Sequence, residues 1–83
     1  MRLRILARHR GRTSSTWVLG DGNGRNITIR AFLESVDPGR YTYNVVVDDG
    51  RHVVRTDWVQ VSPADVPKGL EKEVLRRVRS WLS

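Results

Sequence analysis

Apolar and polar positions alternate from the start of the chain: Leu3, Ile5 and Ala7 take odd positions, while Arg2, Arg4, Arg8, Arg10 and Arg12 take even ones. Successive side chains of a β-strand point to opposite faces, so this spacing predicts a first strand with its aliphatics inward and a strip of guanidinium groups outward. The same two-residue rhythm returns around Asp49-Gly50, a dipeptide favoured in two-residue hairpin turns. With those two residues as the loop, Asp48 opposes Arg51, Val47 opposes His52, Val45 opposes Val54, Tyr43 opposes Thr56 and Tyr41 opposes Trp58. One face is then largely apolar. The other is polar apart from Val46 and Val53, with Asp48 and Arg51 as a cross-strand charge match. Val59 and Val61 have the opposite parity from Trp58, which predicts a bulge or a change of face near Asp57.

A second hairpin is predicted where glycines at 20, 22 and 24 separate the runs 16–19 and 27–33. Placing Trp17, Leu19, Ile27, Ile29, Ala31 and Leu33 on one face requires a loop with an odd number of residues and a glycine at positive φ, such as Gly22-Asn23-Gly24. The stretch 29–36 contains good helix formers and suits a short helix as well, but the β-branched start Ile27-Thr28-Ile29 favours a strand. The period changes after residue 62. Leu70, Val74, Leu75, Val78, Trp81 and Leu82 recur at offsets of three and four and form one stripe of an amphipathic helix. Ser62-Pro63-Ala64-Asp65 has the form of a helix start, whereas Pro67 and Gly69 disfavour a continuous helix, so a first turn precedes a main helix from about Pro67. Glu71 and Glu73 early and Arg76, Arg77 and Arg79 late suit the helix dipole, and Glu73 pairs with Arg77 at i,i+4.

These elements compose an α+β fold: a small antiparallel sheet of about five strands over residues 1–62, with one C-terminal amphipathic helix over 63–83 packed on one face. The other sheet face stays open, and Arg2, Arg4, Arg8 and Arg10 are expected to emerge there. The segment 8–15, basic and carrying glycine and serine, reads as a flexible loop. A chain of 83 residues supports a single domain with one modest core. It has no cysteine, so neither a disulfide framework nor a thiolate metal site is expected. The apolar cluster 3–7 is too short for a signal-peptide core or a membrane span, which points to a cytoplasmic protein without a membrane partner.

Charge narrows the function more than any catalytic motif does. The net charge of +6 is concentrated at the ends: residues 1–15 carry +5, residues 16–62 set five arginines against six acids, and residues 63–83 carry +2. Should the fold bring the ends together, they form one electrostatic footprint. His9 and His52 lack further ligands at metal spacing, the glycines at 20–24 match no phosphate-binding or dinucleotide motif, and Ser14 and Ser15 have no base nearby. No cofactor or metal is expected. His52 falls on the apolar hairpin face, the position of a structural histidine.

The leading reading is a non-catalytic protein that contacts the phosphate backbone of nucleic acid, without sequence preference, through Arg2, Arg4, Arg8, Arg10 and Arg12, assisted by Arg76 and Arg79. Arginines two residues apart along a strand project at intervals of roughly 7 Å, close to the phosphate spacing. Trp17, Tyr41, Tyr43, Trp58 and Trp81 all fall on faces assigned to the core, which leaves no platform for base stacking. A rival reading is a protein-interaction module, an inhibitor or adaptor that docks on an acidic protein surface; the first strand, at a sheet edge, also offers itself to a twin in a homodimer. The third is a small metal-independent ribonuclease using Arg51, His52, Tyr41, Tyr43 and Arg55.

Overall fold

A computed structural model of the chain describes residues 3–82. Five strands, β1 (Arg4–Arg10), β2 (Ser14–Gly20), β3 (Asn26–Asp37), β4 (Arg40–Asp48) and β5 (Val53–Val61), form one antiparallel sheet in sequence order. A 3-10 turn at Pro63–Asp65 and the helix α1 (Lys68–Leu82) follow, which is the α+β arrangement the pattern predicts. Segment 29–36 is strand. Ile29 and Ala31 are fully buried in the core.

The helix stripe and one sheet face make a single core. Leu70, Val74, Leu75 and Val78 are buried against Trp17, Leu19, Ile27, Ile29, Ala31, Tyr43, Val45, Val47, Val59 and Val61, with Leu3 beside them; Trp81 and Leu82 pack at its margin. Burial holds the Tyr43 hydroxyl above its ordinary pKa, an effect reinforced by neighbouring Tyr41. The helix begins after Pro67 because the 3-10 turn folds onto it at Gly69, where a Cβ would lie 2.5 Å from Asp65 Cβ. Only glycine fits that approach.

The β2–β3 hairpin has the predicted register, with Trp17 opposite Ile29 and Leu19 opposite Ile27. Asp21 N–H donates to the Arg25 carbonyl at 3.2 Å, and Gly22 and Gly24 both have positive φ. The β4–β5 register differs from the expected one. Val47 faces Arg55, Val45 faces Asp57, Tyr43 faces Val59 and Tyr41 faces Val61, and the two-residue turn is replaced by a four-residue loop over 49–52. Two aspartates build that loop: Asp48 Oδ1 accepts from Gly50 N–H at 2.6 Å, and Asp49 Oδ1 accepts from Arg51 and His52 N–H groups at 3.0 and 3.2 Å. Those backbone bonds, chiefly the one from Arg51, hold the Asp49 carboxyl below its ordinary pKa. The bulge falls at Val54 rather than near Asp57. In this register Val59 and Val61 are buried in the core. Consequently His52 lies in an exposed loop rather than on an apolar face, and Trp58 turns outward.

The segment 8–15 is ordered strand and turn, not a flexible loop. Gly11 N–H donates to the Ser14 carbonyl at 2.7 Å, and Leu33 N–H donates to the Thr13 carbonyl at 2.8 Å, which ties the turn to β3. No helix of the described residues is long and apolar enough to cross a membrane.

Candidate functional site

The arginine strip does not keep to one face. Arg4 pairs with Gly20 and Ile5 with Leu19, but the register then shifts, so that Ala7 pairs with Val18, Arg8 with Trp17, His9 with Thr16 and Arg10 with Ser15. Leu6 is the extra residue of this bulge. Its side chain lies over Gly20, with Cδ1 2.8 Å from where a Cβ of that residue would stand. One inserted residue exchanges the faces of everything after it. Arg4 therefore remains on the open face, while Arg8 and Arg10 move to the side of the helix; Arg12 is exposed in the β1–β2 turn, and Arg2 lies outside the described residues. The expectation that Arg4, Arg8 and Arg10 emerge together on the open face is thus corrected. Strict alternation of charges along the sequence conceals a parity break whose only cue is the apolar Leu6 at an even position.

Arg8 is engaged by the helix. Its Nε donates to Glu71 Oε1 at 2.8 Å, and the indole Nε1 of Trp17 donates to the same oxygen at 2.8 Å. This three-residue tie links edge strand, second strand and helix, and it neutralises Arg8 in part. Arg76 is likewise occupied, because Glu73 accepts from Arg76 at 2.6 Å and from Arg77 at 2.9 Å. These two guanidinium hydrogen bonds, led by that of Arg76, bring the Glu73 carboxyl down to about 2.

The helix orientation follows from its contacts. Arg77 Nη1 donates to the Trp58 carbonyl at 3.2 Å, and the Arg55 guanidinium stacks 4.8 Å from the Trp81 ring centre, so that flank of α1 faces β5. Helical spacing places Lys68, Lys72 and Arg79 on the flank away from Arg77, the flank bordering the side on which Glu71 meets Arg8 of β1. Arg10 lies on the same side of the sheet. The two basic chain ends are joined at the Arg8–Glu71 pair, with Arg10, Arg12, Lys68, Lys72 and Arg79 all exposed and none in an ion pair among the described residues. Lys68 and Lys72 were not among the predicted site residues; the charge of the C-terminal segment was their signal.

The open sheet face carries Trp58, which the sequence pattern assigns to the core, together with Phe32. Trp58 is 56% exposed and Phe32 38% exposed. They share a row across the sheet, Ser14-Phe32-Asn44-Trp58, bordered by the row His9-Thr16-Arg30-Val46-Thr56.

The residues named for ribonuclease chemistry do not converge. Arg51 and His52 sit in the loop at one end of β4, Tyr41 lies near its other end, Tyr43 is buried, and Arg55 is held by Trp81 and by Asp57 at 3.6 Å. No group of three or more metal-ligating side chains gathers among the described residues. Comparison of the chain with protein families, with curated proteins and with solved structures yields no match.

Proposed function

We propose that the chain is a small, non-catalytic, cytoplasmic nucleic-acid-binding protein whose basic band between β1 and α1 contacts the phosphate backbone. The observation that supports this reading is the Arg8–Glu71 link between the two cationic chain ends, with five exposed cations of those ends free of carboxylate partners among the described residues. Cations so placed repel one another in the free protein, and a polyanion relieves that repulsion while releasing its own counterions. Arg12 and Arg10 at the hairpin end and Arg79 near the helix C-terminus mark the ends of the band, so contact extends over several phosphates rather than one. The relation of these residues to phosphate is one of charge, which makes the binding indifferent to sequence.

The test replaces Arg10, Arg12, Lys72 and Arg79 together by glutamine and measures binding of a labelled oligonucleotide by anisotropy at low salt. Loss of binding with an unchanged melting curve is the expected result. Retention of wild-type affinity by the folded variant refutes the band as the phosphate site.

A further inference from the structure

We infer that the open sheet face is a base-stacking platform, and that the nucleic acid this protein takes is single-stranded; the inference rests on the reading just given and names its ligand more narrowly. Phe32 on β3 and Trp58 on β5 stand in one cross-strand row, two strands apart, at a separation of about 10 Å. Aromatic pairs satisfy one another at centroid distances of about 4.5–7 Å, and these two make no ring contact with each other or with any cation among the described residues. Each leaves a π-face to solvent. Asn44 sits between them in the same row, and its side-chain amide has no hydrogen-bond partner among the described residues, which leaves both donor and acceptor for the edge of a base.

The setting favours an anion over an apolar partner. The bordering rows supply His9, Thr16, Arg30, Val46 and Thr56 on one side and Ser35, Thr42 and Gln60 on the other, so apart from Val46 the rings stand among an imidazole, hydroxyls, amides and a guanidinium. Of the acids, Asp57 adjoins Trp58 in sequence but stands opposite Val45, on the other face; Glu34, which the β3 bulge leaves unpaired, is two residues from Phe32, and Asp48 lies one row further, 4.0 Å from Arg30. Trp58 is also held in place: Arg77 caps its carbonyl, and Asp57 accepts from its N–H at 2.8 Å. A large apolar side chain kept outward on a fixed backbone, in a chain of net charge +6, matches stacking on the bases of a polyanion, since every base presents a π-face whatever its sequence. Duplex bases are already stacked and cannot reach the rings.

The experiment titrates the wild-type chain, Trp58→Ala and Phe32→Ala with labelled oligothymidylate, oligouridylate and a duplex, reading anisotropy and intrinsic tryptophan fluorescence. Each substitution is expected to weaken single-strand binding by about 5- to 150-fold, leave duplex binding unchanged, and leave the melting temperature within the usual spread of a surface change; the wild-type fluorescence quench disappears in Trp58→Ala. The DNA and RNA strands distinguish the two sources of the same chemistry. Single-strand affinity unchanged in both variants overturns the platform while leaving the phosphate band standing. A wild-type dimer that Trp58→Ala converts to monomer also overturns it, by showing that a second copy covers the face. Absence of any binding by the wild-type chain overturns both readings.

Discussion

Removal of the Glu71 carboxylate tests how the edge strand is held and how the band is charged. In Glu71→Ala the Trp17 indole N–H loses its acceptor at 2.8 Å inside a part-buried site, and a buried donor left without a partner costs about 1–3 kcal/mol. The Arg8–Glu71 ion pair adds little, about 0.2–1 kcal/mol, because the Arg8 side chain is 51% exposed. The total is about 1–4 kcal/mol, which lowers the melting temperature of a domain of this size by roughly 5–30 °C. Glu71→Gln keeps a carbonyl oxygen for Trp17 and gives up only the charge, so its loss is about 1 kcal/mol or less. Thermal and urea denaturation followed by circular dichroism give the order wild type, glutamine, alanine. The glutamine variant also frees Arg8, so its binding to nucleic acid tightens as its fold weakens. A Glu71→Ala protein that melts with the wild type refutes the tie, and a glutamine variant with weaker binding refutes the role of Arg8 in the band.

Further expectations concern the core and acid stability. Leu70→Ala, in the first turns of α1 and fully buried against the sheet, destabilises by about 2–5 kcal/mol by urea denaturation; a cost below 1 kcal/mol means that the helix does not seal the core. Glu73, with a carboxyl near 2 against an ordinary 4.5, contributes stability that is present above pH 4.5 and lost as pH falls through about 2. Glu73→Gln therefore shows a shallower loss of stability across that acid window, a small effect because solvent screens the pair, and an unchanged acid profile contradicts the assignment.

The fold was largely readable in the sequence because its strongest signals are periodic. The helix stripe from Leu70 to Leu82 and the matched faces of Trp17, Leu19, Ile27 and Ile29 depend on local spacing, and both stand as the pattern implies. What escaped depends on single inserted residues. Leu6 and Val54 each shift a register by one, which sends Arg8 toward the helix in one hairpin and Trp58 toward solvent in the other. At Asp49-Gly50 the two-residue turn gave way to a four-residue loop whose backbone N–H groups are taken up by the Asp48 and Asp49 carboxylates. The candidate site was readable as charge at the two chain ends, whereas the link between them required knowing that Glu71 faces Arg8 and Arg77 faces β5.

The central claim, that five cations gathered from both chain ends hold a phosphate backbone, is tested most directly by the salt dependence of oligonucleotide binding. A plot of log affinity against log salt is expected to fall with a slope of about −3.5 for a single strand, from about 0.7 per neutralised phosphate, and to flatten in the Arg10, Arg12, Lys72 and Arg79 glutamine variant. A slope near zero, or an equal slope in wild type and variant, contradicts it.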